Sequence, residues 1–282
     1  MGADVADPSE AGSILDGFLP LDLCDAPGVS NALERLRPDV VFHLAGVQSG
    51  EPPAIYRTNV LGTAHLLETA RVTCRRARVL AVGSAAEYGP VERKDLPVKE
   101  ETPCSPRGPY GVSKHASTLI GLDYARRLGM RVVVARPFNV VGAGIPPSLV
   151  VGALAARARK ALAAEGDPVI QVGNLESIRD FIAVEDVVDA YVKMAAGEHW
   201  GEVFNVCSGE PHTVLEVAEA LLSFAPRPVR LEVNPALVRD GEVSASYGSY
   251  EKARAAFGFT PATRLKDALR VCWAASETGA GT

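Results

Sequence analysis

The feature that most constrains the fold is a strand–helix–strand order in the middle of the chain. The apolar run Arg78–Val82 indicates a buried strand, residues 110–127 carry a helical pattern, and Arg131–Ala135 is the next apolar run. A chain of 282 residues suffices for one large α/β unit, or for such a unit with a small appended lobe. Further strands are predicted at 39–46, 169–172 and 202–207, and further helices at 27–36, 56–74, 150–164, 250–257 and 265–273.

The composition excludes several classes of function. A net charge of −5 argues against a nucleic-acid surface, and no apolar stretch has the length of a membrane span. The first ten residues are acidic and polar, unlike a secretion signal. The five cysteines lack Cys-x-x-Cys spacing, which argues against a metal or disulfides and favours free thiols in a reducing compartment. We therefore expect a cytoplasmic protein with no nucleic-acid, membrane or metal partner.

Tyr110 and Lys114 are the first candidate catalytic residues. Their spacing of four places both side chains on one face of a helix. A lysine cation beside a phenol favours the phenolate, so the pair predicts a tyrosine of lowered pKa that exchanges protons near neutral pH. Ser84 follows the strand Arg78–Val82 and can hydrogen-bond a substrate oxygen. The alternative is a chance pair on a surface helix, because Tyr-x-x-x-Lys alone is a weak motif.

The order Ser84, Tyr110, Lys114 resembles the extended short-chain dehydrogenases/reductases, a family of nucleotide-sugar epimerases, dehydratases and reductases. The resemblance covers residues 22–273. Three stretches look closest to the GDP-mannose branch, in particular to GDP-4-keto-6-deoxy-mannose reductases. They are Arg136-Pro137-Phe138-Asn139, the segment from Gly173 to Phe181, and Phe204-Asn205-Val206-Cys207-Ser208-Gly209.

The resemblance implies an α/β fold with a Rossmann-like, doubly wound parallel sheet and a small C-terminal substrate-binding lobe. Residues 1–143 with parts of 180–210 would form a truncated NAD(P)-binding domain. Residues 144–179 and 211–282 would form the lobe that binds a nucleotide sugar.

The start of the chain departs from the family pattern. A dinucleotide-binding fold opens with a strand, a glycine-rich turn and a helix that faces the pyrophosphate, and here that turn is absent. We expect the first strand-helix-strand unit to be lacking, which would leave the next strand, near 19–25, without a neighbour. Three explanations stay open: a true start further upstream, a natural chain that has lost cofactor binding, or a partner chain that completes the sheet.

The resemblance also implies a cofactor site for NADP or NAD, with the choice between them open. Asp22 and Leu23 match an adenine-contacting pair, although Asp22 or Asp25 could instead cap the next helix. Asn59 matches a residue that steadies the central helix. The full set of cofactor-side residues comprises Asp22, Leu23, Leu44, Ala45, Gly46, Asn59, Val82, Tyr110, Lys114, Pro137 and Phe138.

The residues expected on the substrate side are Ser84, Asn139, Asn174, Arg179 and Arg239. In the family the residues that match Asn139, Arg179 and Arg239 bind the substrate diphosphate. A fork-shaped guanidinium suits phosphate oxygens. Arg179 could instead form a local ion pair with Asp180. Arg239 is followed by Asp240 where relatives have proline, so its match is the poorer one.

The residues after Ser84 argue against a dehydratase. Dehydratases of the family carry an acid where this chain has Ala85 and Ala86, and Glu87 would lie on the opposite side of an extended backbone. We therefore predict NAD(P)H-dependent reduction of the 4-keto group of an NDP-4-keto-6-deoxyhexose, with GDP favoured. The alternatives are a 4-epimerase with tightly bound NAD and a cofactor-free paralogue that binds sugar nucleotide. The resemblance further implies a homodimer through the helices 56–74 and 110–127.

Overall fold

The computed structural model describes residues 1–5, 16–238 and 243–278, which form two compact units. Unit 1 comprises residues 1–89, 103–136 and 191–204, and unit 2 comprises 90–102, 137–190 and the remaining residues from 205. The described strands are β1 (Gly2–Asp4), β2 (Phe18–Pro20), β3 (Val40–His43), β4 (Arg78–Val82), β5 (Arg131–Pro137), β6 (Asn139–Val141), β7 (Val169–Val172), β8 (Ile178–Ala183), β9 (Val203–Val206), β10 (Pro211–Thr213), β11 (Arg230–Val233) and β12 (Ala245–Ser246). The described α-helices are α1 (Ala26–Leu36), α2 (Pro52–Tyr56), α3 (Gly62–Thr73), α4 (Gly108–Arg126), α5 (Val150–Ala163), α6 (Val184–Ala196), α7 (Val214–Leu222), α8 (Glu251–Phe257) and α9 (Leu265–Thr278).

The main sheet has the strand order β3-β4-β5-β9, and β3, β4 and β5 run parallel. The inner strands β4 and β5 are mostly apolar and buried on both faces, as expected of central parallel strands, whereas Phe42 of the edge strand β3 is 43% exposed. Val79, Val132 and Val134 pack with Leu67 of α3 and Val29 of α1 in one buried cluster. The predicted α/β class with a parallel sheet is confirmed.

The strand β2 does have a neighbour. It pairs in parallel with β1, with Gly2 opposite Phe18 and Asp4 opposite Pro20. The prediction that this strand is left unpaired is therefore wrong. Three residues near the start suffice for the pairing, and the Leu21 amide extends it by donating to the Asp4 carbonyl at 2.8 Å. So short a strand carries almost no periodic signal in the sequence.

The helix predicted at 56–74 is interrupted. It consists of α2, a π-helical turn at Arg57–Leu61, and α3. Single π-helical turns inside α-helices rotate the side chains that follow, and they are frequent at functional sites. Here the turn carries Asn59, whose contacts belong to the candidate site.

Unit 2 is built on two small sheets. In one, β8 pairs with β6, β10 and β12, and in the other β7 pairs in parallel with β11. Apolar faces of α5, α7 and α9 close a core that includes Leu154, Leu221 and Trp273. Helix α7 starts with a capping box, in which Thr213 Oγ1 accepts from the Glu216 amide at 3.1 Å and Glu216 Oε2 accepts from the Thr213 amide at 2.8 Å.

Across the described residues, no helix combines the length and the apolar character needed to cross a bilayer.

Candidate active site

Ser84 lies at the carboxyl end of β4, where the chain turns sharply. Residues Ala85–Glu87 form a 3₁₀ turn, and the Ser84 hydroxyl accepts from the Ala86 amide at 3.1 Å. Glu87 Oε1 in return accepts from the Ser84 amide at 2.9 Å, which completes a capping box. The expectation of an extended backbone at Glu87 is therefore wrong, because this local hydrogen bonding favours the turn.

Tyr110 and Lys114 lie in the first two turns of α4, one helical turn apart as their spacing predicts. The Ser84 side chain lies close enough to Tyr110 to lower the pKa of its phenol. Lys114 is only 6% exposed, and its Nζ donates to the carbonyl of Val82 at 2.8 Å. The strand end and the helix thus bring the serine, the tyrosine and the lysine together in unit 1.

Burial dominates the ionisation of both α4 residues. It lowers the pKa of Lys114 from 10.5 to about 8, although the Glu87 charge acts in the opposite direction. Burial also raises the pKa of Tyr110; the Ser84 side chain lowers it, and the Glu87 charge raises it further. The predicted lowering of the Tyr110 pKa by Lys114 is wrong for this structure, since the cost of burying a phenolate is the largest effect. A neutral Tyr110 is a proton donor.

The loop after β3 lies beside the lysine. Leu44, Ala45 and Gly46 are exposed there, and a Cβ added at Gly46 would lie 2.9 Å from Lys114 Nζ. The absence of a side chain at Gly46 therefore leaves room for the Lys114 ammonium against the backbone of an exposed loop. An ammonium in this place can donate to the hydroxyls of a ribose that lies close to the backbone.

Asn59 holds this loop in place. Its Oδ1 accepts from the Val47 amide at 2.7 Å, and its Nδ2 donates to the Val47 carbonyl at 2.9 Å and to Ser113 Oγ at 2.8 Å. The residue is only 2% exposed, so these bonds occupy its amide. It supports the loop and α4 from below, and its placement among residues in direct contact with a cofactor is not supported.

His43 is not a candidate base. It is buried at the end of β3, with Nε2 and Thr63 Oγ1 2.8 Å apart. Burial, with a smaller effect from Lys114, lowers the pKa of His43 to about 4. A neutral, hydrogen-bonded imidazole in this place is part of the core.

A buried carboxylate beside Ser84 was missed by the sequence analysis. Glu87 is fully buried, and its Oε2 receives Nε and Nη2 of Arg136 at 2.9 and 2.8 Å. Its Oε1 also accepts from Thr118 Oγ1 of α4 at 2.9 Å. The sequence carried one local signal for it, the capping-box pattern Ser84-Ala85-Ala86-Glu87.

Two predicted adenine contacts lie between β2 and α1. Oδ1 of the exposed Asp22 accepts a hydrogen bond from the Cys24 amide at 2.8 Å, and the Leu23 carbonyl lies 2.9 Å from His65 Nδ1. Asp25 is the N-terminal cap residue of α1 by position, but no side-chain hydrogen bond accompanies it. The alternative that Asp22 or Asp25 caps this helix through its side chain is therefore not supported.

The remaining substrate-side predictions fall in unit 2. The exposed Asn139 donates from Nδ2 to the carbonyl of Asp180 at 2.7 Å, and Asn174 Oδ1 accepts from the Glu176 amide at 2.9 Å. The half-buried Arg179 donates to the Ile178 carbonyl at 2.9 Å. Two residues predicted on the cofactor side also belong to unit 2: Pro137 is half-buried and Phe138 is buried. Arg239 lies outside the described residues.

Asp180 is a structural anchor of unit 2. Its buried carboxylate accepts from the Ser208 amide at 2.8 Å, the Ser208 hydroxyl at 2.7 Å, the Gly209 amide at 3.0 Å and the Gly248 amide at 3.2 Å. Burial raises the pKa of Asp180, and these four bonds act against that shift. The carboxylate therefore fixes the segment that follows β9.

Comparisons with known proteins agree with this geometry. The family model described as GDP-mannose 4,6 dehydratase matches residues 10–272. The GDP-6-deoxy-D-mannose reductase of Pseudomonas aeruginosa is 34% identical over 241 residues, which are 83% of this chain and 78% of the relative.

Two solved structures share the fold. The structure of RMD from Pseudomonas aeruginosa complexed with NADPH has a TM-score of 0.85 at 31% identity, over 93% of this chain and 90% of that one. The UDP-glucose 4-epimerase of Thermus thermophilus, in complex with NAD, has a TM-score of 0.85 at 26% identity, over 99% and 90% of the two chains. The parallel sheet is thus Rossmann-like. A serine after β4, a tyrosine and a lysine one turn apart on α4, and a match along nearly the whole length lead to one conclusion: the chain belongs to the GDP-mannose 4,6 dehydratase family of extended short-chain dehydrogenases/reductases.

Proposed function

We propose that this protein uses NADPH or NADH to reduce the 4-keto group of a nucleoside-diphosphate-linked 4-keto-6-deoxyhexose. The observation that carries the proposal is the cluster of Ser84, Tyr110 and Lys114 beside the open loop at Gly46. The relative of 34% identity is named a GDP-6-deoxy-D-mannose reductase, which favours GDP as the nucleotide.

The side chains divide the work of a ketone reduction. Tyr110, a phenol whose pKa burial raises further above neutrality, donates a proton to the oxygen that becomes an alkoxide. Ser84 donates a hydrogen bond to the same oxygen and orients the carbonyl. Lys114 binds the ribose of the cofactor from its buried position next to Gly46. The bound cofactor supplies the hydride.

The absence of an acid at positions 85 and 86 supports reduction over dehydration. Ala85 and Ala86 occupy the 3₁₀ turn after Ser84, and neither can move a proton. The next acid, Glu87, is fully buried and bound to Arg136 and Thr118. It is therefore unsuited to acid/base work on a sugar carbon.

The test of this function is cofactor consumption with defined substrates. The purified chain is mixed with NADPH or NADH and with GDP-4-keto-6-deoxy-mannose or dTDP-4-keto-6-deoxy-glucose, and the loss of reduced cofactor is followed. We expect consumption with at least one pair, at one cofactor per sugar. Consumption with neither sugar would refute the proposal for both nucleotides.

A 4-epimerase is the second candidate, and the fold shared with an NAD-complexed UDP-glucose 4-epimerase favours it. An epimerase regenerates its cofactor and keeps it bound through purification, whereas a reductase exchanges it. Extraction of the purified protein separates the two: bound NAD in near-equal amount supports the epimerase, and none supports the reductase. A third candidate, a cofactor-free paralogue, predicts sugar-nucleotide binding without dinucleotide binding in calorimetry.

We assign the binding of the nucleotide sugar to residues of unit 2. Asn139, Asn174 and Arg179 offer amides and a guanidinium that suit a diphosphate, and Arg239 is kept in this set. Pro137 and Phe138 are assigned to the nicotinamide, and Asp22 and Leu23 to the adenine. The free thiols Cys24, Cys74, Cys104, Cys207 and Cys272 suit a cytoplasmic location.

We also propose a homodimer through the segment 56–74 and the helix 110–127. Four apolar side chains are exposed on these elements, namely Leu61, Val72, Val112 and Leu119. Val112 and Leu119 are seven residues apart and therefore share one face of α4. A second copy of the chain would cover this face, since large exposed apolar patches mark interaction surfaces.

A further inference from the structure

The carboxylate of Glu87 joins three elements that carry the candidate site. Through Oε1 it binds the Ser84 amide at the end of β4 and Thr118 on α4, at 2.9 Å each. Through Oε2 it binds Arg136 on β5 at 2.9 and 2.8 Å. Ser84 is one of the three proposed catalytic residues, and α4 carries the other two. One side chain therefore links every element of the constellation.

The surroundings allow no solvent to replace these bonds. Glu87 is 0% exposed, Thr118 1% and Arg136 4%. A side chain at Gly83 would collide with Glu87 Oε1, so the glycine provides the room for this contact. Removing one partner of a buried ion pair leaves an uncompensated charge and is costly. The network is thus rigid.

The alternative function of Glu87 and its neighbours is to bind a metal ion. Ligand atoms of Glu87, Cys104 and His115 lie within 4.8 Å of one another, and His115 Nδ1 is buried without a hydrogen bond. Arg136, however, already binds Glu87 Oε2 through two nitrogens, and its charge lowers the pKa of Cys104 against the effect of burial. The guanidinium therefore occupies the place of the cation.

We propose that Glu87 is a positioning residue that fixes the Ser84 turn against α4 and β5, so that Ser84, Tyr110 and Lys114 hold their mutual geometry. This role rests on the proposed reductase function. It deepens that function by assigning a residue whose carboxylate acts through Ser84 and α4 instead of touching the substrate.

The charge of Glu87 gives the role a measurable signature. It raises the pKa of both Tyr110 and Lys114. Besides Glu87, the groups that face Tyr110 are Ser84 and, from α6, Tyr191. The titratable and charged groups that interact with Glu87 are Arg136 from β5, Tyr110, Lys114 and His115 from α4, and Cys104 from the preceding loop. Loss of the Glu87 charge should therefore lower the pKa of Tyr110.

The experiment compares Glu87→Gln with the exposed Glu219→Gln on α7 as the matched control. Tyrosinate absorbance is titrated in each background with and without Tyr110→Phe, and the difference isolates Tyr110. We expect the apparent pKa of Tyr110 to fall by roughly half a unit to one unit in Glu87→Gln and to stay unchanged in the control. In the reductase assay, kcat should fall roughly a hundredfold with little change in KM, because the catalytic groups lose their alignment.

A second variant keeps the inference testable when Glu87→Gln alone does not fold. Glu87→Gln combined with Arg136→Met removes both charges of the buried pair, an exchange that proteins often tolerate. The Tyr110 titration should shift downward in this variant as well. An unshifted Tyr110 titration in a folded chain of either kind would overturn the inference, and so would an unchanged kcat in folded Glu87→Gln.

The two proposals fail in different ways. The titration needs neither cofactor nor substrate, so it still measures the interaction of Glu87 with Tyr110 when the wild-type chain is inactive. A wild-type chain that consumes no reduced cofactor would refute only the reductase. Wild-type turnover together with an unshifted Tyr110 in Glu87→Gln would refute only the role of Glu87.

Discussion

Burial, more than the neighbouring lysine, governs the ionisation of the proposed acid. Tyr110 stays a phenol because its burial raises the pKa, and Lys114 loses part of its basicity for the same reason. At neutral pH the site therefore holds a protonated tyrosine and a mostly protonated lysine, which suits the reductive direction. A 4-keto group needs a proton at its oxygen when hydride reaches the carbon.

The first prediction concerns Tyr110→Phe. The phenylalanine keeps the ring and removes only the proton donor, so kcat should fall by roughly 10²–10⁴. Binding of the dinucleotide in calorimetry should be unchanged. Phenylalanine at the exposed Tyr56 is the control for loss of a tyrosine hydroxyl elsewhere in unit 1. Full activity in Tyr110→Phe would show that another group protonates the product.

The second prediction is a pH dependence of stability that arises from Lys114. Its pKa is about 8 in the folded chain, against 10.5 ordinarily, so between these values the unfolded chain binds more protons. The free energy of unfolding should therefore rise with pH in this window. Below pH 8 the folded chain should bear the whole cost of burying the charged Lys114 ammonium. Relative to Lys114→Met, the wild type should gain about 3 kcal/mol between pH 8 and 10.5.

Urea unfolding of the wild type and Lys114→Met across that range measures this gain. Lys266→Met, at an exposed position of α9, is the matched control. A difference between wild type and Lys114→Met that stays constant with pH would contradict the proposed burial of the ammonium.

Residue spacing explains which parts of the site the sequence could reveal. Tyr110 and Lys114 are four apart on one helix, and Ser84 directly follows a recognisable strand. The pair Glu87 and Arg136 spans 49 positions and depends on the placement of β4 beside β5. No local pattern encodes such a contact. The direction of the Tyr110 pKa was also out of reach, because it depends on burial.

At the scale of elements, the buried strands and amphipathic helices were the most predictable. The strands β4 and β7 were predicted with their observed bounds, since each is a short stretch rich in apolar and β-branched residues. The π-helical turn at Arg57–Leu61 was missed, because its pattern differs from an α-helix by one residue in register. The strand β1 was missed because its three residues gain their structure from pairing with β2.

The third prediction tests a helix cap. Thr213→Ala removes the hydroxyl that accepts from the Glu216 amide at the start of α7. The free energy of unfolding should fall by about 1 kcal/mol. Thr260→Ala, at an exposed threonine of the same unit, should leave stability nearly unchanged. Equal losses in the two variants would mean that the capping box contributes nothing.

At the scale of the whole molecule, unit 1 exposes large apolar side chains on α3 and α4. Val72 is 69% exposed and Leu119 is 54% exposed, on the two segments proposed for dimer contact. The ion pair of Glu68 with Arg71 lies on α3, and the Tyr124 hydroxyl of α4 donates to Glu68 at 3.0 Å. Polar residues around an apolar centre are typical of a protein interface.

The fourth prediction is that Leu119→Glu converts a dimer to a monomer. Burying a carboxylate without a partner in the interface would cost more free energy than the apolar contacts of the interface contribute. Sedimentation should give a dimer for the wild type and for Val233→Glu, a control at a similarly exposed valine of β11. A monomeric wild-type chain would contradict the proposed assembly.

The central claim is the transfer of hydride to C4 of a 4-keto-6-deoxy sugar nucleotide, and isotope transfer tests it most directly. The chain is incubated with reduced cofactor that carries deuterium at the transferable position and with GDP-4-keto-6-deoxy-mannose. We expect one deuterium at C4 of the product and none elsewhere, with both product and label lost in Tyr110→Phe. A folded chain that oxidises no cofactor and leaves the 4-keto sugar unchanged would contradict it.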